Sequence, residues 1–382
     1  MKEKLFSFVI TSYRNYKYIY EAIDSILIQT YQNIELIISN DGSTDFHAES
    51  VRAYIERKQR GNITNLVINN NRKNLGTVAN VDYCRSIAKG EYIMYMAADD
   101  SLYDKNVIDA FVSEFERLGD DALCISSKVA MCGESLNNIK SIEPENTIIE
   151  IIKSYTPQQM FSRLSHTFTI PTTSTCYRRK LYEIVGPYDT KYFIIEDASL
   201  YLKMARNGIK FYWLDIIAAK HRDGGISHGN SLNLVEPYRK YRYDEILLFK
   251  NEILPYHHLL LDTDKKKMLE KWHYLDYAYW NDFEKKDLRN IKTWKFLARN
   301  GRFVFKNLLK SITFNDRPLM HLLALSNLLI SILYLSNKSD VNTNIKSTLE
   351  NICLIVISFV VILVLFIYII RILYKIKKWR GL

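Results

Sequence analysis

At 382 residues, 48% apolar and 25% charged, the chain is long enough to bury a substantial core and too apolar to be disordered. Its net charge of +10 points to anionic partners, whether phosphates, lipid headgroups or nucleic acid. The five cysteines, Cys84, Cys124, Cys132, Cys176 and Cys353, form no CxxC pair and no Cys/His cluster at zinc spacing, which argues against a zinc module or a disulfide framework.

The apolar run in the opening MKEKLFSFVITSY is too short for a signal-peptide core, so the N-terminus is expected to stay in the cytoplasm. Residues 6–10 form a β-branched apolar run and 19–29 carry helical periodicity. A second apolar run, 34–39, ends in the turn sequence Asn40-Asp41-Gly42-Ser43-Thr44. A third strand is expected over 66–70, a helix over 77–88 capped by Gly90, a fourth strand over 92–96, and a helix over 107–115. This alternation predicts an α/β fold with a mostly parallel twisted sheet and helices on both faces. Residues 235–289, rich in Tyr, Trp and Lys, read as helical without an assignable role.

Further on, Lys292, Lys295, Arg299, Arg302, Lys306 and Lys310 recur at steps of three and four, opposite Trp294, Leu297, Phe305, Leu308 and Ile312. Such a helix suits the interface of an anionic bilayer; the competing reading is a solvated face packed on the soluble domain. Residues 352–370 are uncharged over the length a membrane span needs. The basic tail 371–382 places the C-terminus on the cytoplasmic side. A second span over 319–335 completes a hairpin that returns both ends to that side, with a re-entrant segment as the alternative. The basic stripe beside a span, with no recognition module, disfavours nucleic acid.

In a sheet of this kind, ligands bind beyond the carboxyl ends of the strands. Thr11, Ser12 and Tyr13 follow the first strand, Asp41 the second, Asn74 and Gly76 the third, and Asp99 and Asp100 the fourth. There is no GxGxxG after the first strand and no P-loop, so a phosphate must be held another way. Adjacent carboxylates at a strand end repel, and a divalent cation bridging them to a diphosphate relieves the repulsion. The same pair also suits a helix N-cap and first turn before residue 107.

The segments FVITSYRNYKYIYEAIDSILIQTYQNIELIISNDGSTD, NLGTVANVDYCRSIAKGEYIMYMAADD and IVGPYDTKYFIIEDASLYLKMARNGIK resemble, in order and spacing, the inverting GT-A glycosyltransferases of family two. The likeness covers about residues 5–230. It implies a Rossmann-like nucleotide-diphospho-sugar transferase fold, with 1–118 as the nucleotide-sugar half and 119–234 as the acceptor half. A helical region, 235–318, a hairpin, 319–370, and the basic tail follow.

By resemblance, Thr11, Tyr13 and Asp41 hold the base and ribose of the donor. Asn74, Gly76 and Asn80 line its diphosphate, and Asp99 and Asp100 hold a Mn or Mg ion. Ala97 stands where relatives commonly carry a further Asp, which weakens the metal motif. Asp197 is the expected base for an acceptor hydroxyl and Glu196 its runner-up, although an acidic pair also favours a helix start. Arg222 is expected on the diphosphate. His221 and His228 fit either metal ligands or solvated loop residues, and residues 171–175 with Arg178 resemble an acceptor-side segment.

The implied activity is transfer of a sugar from a UDP-type donor to a saccharide or polyprenyl-linked saccharide in cell-surface polysaccharide synthesis, on the cytoplasmic face of the plasma or inner membrane. No QxxRW motif of processive synthases is present. A catalytically silent membrane scaffold is the alternative that Ala97 keeps open.

Overall fold

The computed structural model describes residues 3–168, 170–223 and 235–283. The first half alternates β1 (Phe6–Ser12), α1 (Ile19–Leu27), β2 (Ile34–Asn40), α2 (Ala48–Lys58), β3 (Ile63–Asn70), α3 (Thr77–Ile87) and β4 (Tyr92–Ala97). These strands run parallel in the order β3-β2-β1-β4. Alternate β1 residues feed opposite layers. Val9 joins a cluster with Val78, Val81 and Cys84 of α3, while Phe8 and Ile10 join one with Ile19, Ile23 and Ile26 of α1. Burial on both faces is why β1 and β2 read as largely apolar runs, interrupted by Ser7 and Glu35, which hydrogen-bond to each other.

The second half contains β5 (Ser101–Leu102), α4 (Val107–Leu118), β6 (Cys124–Cys132), β7 (Ile139–Glu143), α5 (Asn146–Ser154), α6 (Pro157–Leu164), β8 (Thr175–Arg178), α7 (Leu181–Val185), α8 (Asp197–Arg206) and β9 (Tyr212–His221). The sheet continues from β4 through β8, β6 and β9 to β5. Here the expectation of a mostly parallel sheet is corrected. β8 is antiparallel to both β4 and β6, β7 to β6 and β5 to β9, and only β6 and β9 are parallel in this half. The connection from β6 to β7 is too short for the crossover that a parallel neighbour requires.

The region the sequence left unassigned packs on this domain. Ile246 and Leu248 of α9 (Val235–Leu248) and Met268 and Leu275 of α10 (Asp262–Phe283) bury in the same cluster as Met160 and Phe161 of α6 and Leu200 and Met204 of α8. Polar ties reinforce the seam. Asp264 accepts from Ser162 Oγ at 2.8 Å, and Arg206 Nη2 donates to Glu252 at 2.7 Å. The expected spans 319–335 and 352–370 and the basic helix near 292–312 lie outside the described residues, as does His228. Among the described residues no helix is long and apolar enough to cross a membrane.

Arg178 is reassigned. It pairs with Tyr92 at the start of β4, roughly 16 Å along the strand from Ala97. Its guanidinium donates to the carbonyls of Ala122, Phe115 and Gly119 and to Glu91 Oε1 at 2.8 Å, beside the stacked rings of Tyr92 and Phe115. The side chain therefore closes the C-terminal end of α4 and does not shape an acceptor face. Arg178→Ala strands those carbonyls and is expected to cost about 3–5 kcal/mol, read as a lower thermal midpoint with nucleotide affinity unchanged. Lost affinity at unchanged stability would return the residue to the site.

Candidate active site

The carboxyl ends of β1, β2 and β4 lie in register, Thr11 pairing with Ser39 on one side and Ala97 on the other. Backbone bonds continue the alignment past the strands: Asp41 N donates to Ser12 O and Ala98 N to Thr11 O, both at 2.8 Å. Beyond β1 the chain turns sharply at Arg14, whose φ is +56° and whose N–H donates to Ser43 Oγ at 2.8 Å. Tyr13 is left exposed, with the Arg14 guanidinium 5.0 Å from its ring centre. Asn15, which the sequence reading passed over, ties this turn to the acidic motif. Its Oδ1 accepts from Ser12 Oγ and Tyr13 N, and its Nδ2 donates to Asp99 Oδ1 at 3.1 Å.

Asp41 faces inward. Its Oδ1 accepts from Leu75 N at 2.9 Å and Asn71 Nδ2 at 3.1 Å, and its Oδ2 from Gly76 N at 2.9 Å. Asn74 Oδ1 accepts from the same Gly76 N–H at 2.8 Å. Asn80, also buried, accepts from Ser39 Oγ and Asn71 Nδ2 and so ties α3 to β2. Asp41 and Asn80 thus build the wall of the crevice, while Thr11, Tyr13 and Asn74 keep accessible surface.

The two carboxylates after β4 differ. Asp100 is 1% exposed; its Oδ1 accepts from Arg222 N and its Oδ2 from His221 Nδ1, each at 3.0 Å, with Thr173 Oγ1 at 3.5 Å. Burial pushes the Asp99 carboxyl up from its ordinary value and the charge of Asp100 adds to this, against the Asn15 hydrogen bond. Burial opposes charge on His221, yet the Asp100 bond and the nearby carboxylates outweigh it and raise that imidazole. Asp99 is a carboxylate whose charge the protein under-compensates, as suits a cation ligand, whereas both Asp100 oxygens are already bonded within the protein. Among the described residues no three His, Cys, Asp or Glu side chains are grouped to hold a metal.

Arg222 is placed next to the acidic motif, and its buried guanidinium bonds to three groups of the protein. Nε donates to Asp99 O at 2.9 Å, Nη1 to Glu134 O and Nη2 to Glu21 Oε2 at 2.9 Å, with the Tyr18 ring 4.0 Å away. It holds the end of β9 against the acidic loop.

Glu196 and Asp197 open α8, where the helix dipole favours an anion. Asp197 Oδ2 accepts from Thr172 Oγ1 at 2.5 Å and its Oδ1 from Ala198 N at 2.6 Å. The neighbouring threonine, Thr173, reaches Asp100, so one dipeptide touches both acidic pairs. Burial first, then the Asp197 charge, raises Glu196 to about 8. Burial also raises Asp197, but its hydrogen bonds from Thr172 and the helix N–H groups oppose the shift. Burial raises both members of the coupled pair, and only Asp197 has a side-chain donor, Thr172, opposing the rise.

Residues 7–186 match the family model described as glycosyl transferase family 2. An uncharacterized glycosyltransferase of Rickettsia typhi is 23% identical over 234 residues, covering 61% of this chain and 69% of the relative. Glycosyltransferase GlyG of Streptococcus pneumoniae is 33% identical over 121 residues, 31% of this chain and 38% of its own. Staphylococcus aureus TarS 1–349, solved in complex with UDP-GlcNAc, aligns with a TM-score of 0.48 at 18% identity, covering 76% of this chain and 78% of that one. Residues 7–186, just under half of the chain, are thus similar to glycosyl transferase family 2.

Proposed function

We propose that the chain transfers a sugar from a UDP-type donor to a hydroxyl of a saccharide or lipid-linked saccharide, by single displacement with Asp197 as base, in cell-surface polysaccharide synthesis on the cytoplasmic face of the membrane. The observation that carries this reading is the Thr172-Thr173 dipeptide, which ties the donor-side Asp100 to the acceptor-side Asp197. Asp197 takes the proton from the acceptor hydroxyl as its oxygen bonds to the anomeric carbon; the bond to the diphosphate breaks and the phosphate oxygen keeps the electron pair. A cation held at Asp99, when bound, neutralises charge on the departing diphosphate. Thr172 orients Asp197, and Asn15 fixes Asp99 relative to the Tyr13 turn.

Calorimetric titration with UDP, with and without manganese, tests the donor site. UDP is expected to bind more tightly with the metal than without it, and the variant Asp99→Ala/Asp100→Ala is expected to lose that gain. Absence of binding to UDP and GDP alike would favour a second reading, a silent scaffold. Ala97, and the internal bonds that saturate Asp100 and Arg222, are the features that favour it.

A further inference from the structure

Helix α9 reaches back into the site through one carboxylate. Asp244 is 1% exposed, and its Oδ2 accepts from three consecutive backbone N–H groups, those of Phe193 at 2.8 Å, Ile194 at 2.6 Å and Ile195 at 3.2 Å. Successive N–H groups converging on one oxygen form an anion nest, here filled by a side chain. Among the described residues no ion pair reaches Asp244, and these three donors oppose, without cancelling, the upward push that burial gives its carboxyl. A carboxylate placed this way fixes backbone geometry better than a neutral acceptor, because charge-assisted bonds are stronger and more directional.

The segment it fixes touches both halves of the site. Phe193 O accepts from Val78 N at 3.4 Å in the first turn of α3, and the Phe193 backbone and ring lie where a Cβ on Gly76 would sit. Lys240, one turn before Asp244, places its ammonium 3.8 Å from the centre of the Phe193 ring. Glu196 follows Ile195 directly, and the Asp244 charge adds to the effects that keep its carboxyl protonated.

We propose that Asp244 is a positioning residue of the transferase: by filling the nest over Phe193, Ile194 and Ile195 it holds Asp197 and the Gly76 end of α3 in one fixed arrangement. The proposal rests on the reading of Asp197 as base, so its test has one arm independent of turnover. In the full chain, Asp244→Ala is expected to speed amide exchange in peptides covering 193–195 and 76–78 by about tenfold or more, with strands β1 and β4 unchanged. Asp244→Asn, which keeps one oxygen but not the charge, is expected to fall between and carries the test should the alanine variant fail to fold.

With UDP-GlcNAc as the probe donor and UDP release as the readout, kcat is expected to fall about tenfold or more in Asp244→Ala while donor KM moves less than about twofold, and 0.1–0.5 M formate to restore part of kcat where chloride does not (roughly these ranges). Unchanged exchange at 193–195, or unchanged kcat beside an active wild type, overturns the proposal. A wild type that releases no UDP from any UDP-sugar overturns the transferase reading instead, and the exchange arm still decides for or against Asp244.

Discussion

Asp197→Asn is expected to lower kcat by about 10²–10⁴-fold with UDP affinity nearly intact, while Glu196→Gln keeps most of the activity at pH 7. The contrast follows from the different surroundings of two adjacent carboxyls. Asp197 accepts from Thr172 and the start of α8, bonds that oppose the rise burial causes, and replacing one oxygen by an amide removes the proton acceptor. Glu196, raised to about 8, is already neutral at pH 7, so glutamine reproduces its shape and charge. The reverse pattern would make Glu196 the base, and loss of UDP binding in Asp197→Asn would move that residue to the donor site.

The same shift has a stability consequence whose sign is fixed. Between the ordinary value of 4.5 and the folded value of about 8, native Glu196 keeps a proton that the unfolded chain releases. Stability therefore falls as pH rises through that window, and wild type should lose thermal midpoint relative to Glu196→Gln between pH 5 and roughly pH 9. An identical pH dependence of the two proteins would show that Glu196 titrates normally.

What could be read from the sequence follows from which interactions are local. β1, β2 and β4 were visible because burial on both faces makes them largely apolar runs, and their polar ends marked Thr11, Asp41, Asp99 and Asp100. α2 was not, since it buries only Val51 and Ile55 and the apolar period is too thin against the charged residues around it. The antiparallel placement of β8 depends on partners about fifty residues away for β6 and more than eighty for β4, which no local pattern encodes. Residue type also hides direction: Asp41, Asn80 and Arg222 each bond to neighbouring loops and strands, partners the sequence pattern does not show. Asp244 was invisible for a related reason, because an acid beside Glu245 in a helix rich in Tyr and Arg acquires its partners only when α9 docks.

Gly76→Ala is the substitution expected to hurt the donor side most. Gly76 sits at φ +93°, a conformation that strains an L side chain, and an added Cβ would lie 2.6 Å from Phe193 O and 2.8 Å from the Phe193 ring. The backbone carbonyl cannot yield as a flexible side chain would, because the Asp244 nest fixes the segment from the other side. Relief must come from residues 71–76, which breaks the paired bonds from Leu75 and Gly76 to Asp41. UDP affinity is expected to fall by about tenfold or more, with a loss of about 2–4 kcal/mol in stability. Gly119 supplies the control: its φ is +82° but nothing lies within 4 Å of an added Cβ. Gly119→Ala should therefore cost about 1 kcal/mol from backbone strain alone and leave UDP binding untouched. Equal effects of the two substitutions on UDP affinity would mean that Phe193 does not brace the donor loop, and would remove the mechanical link between α9 and the donor half of the site.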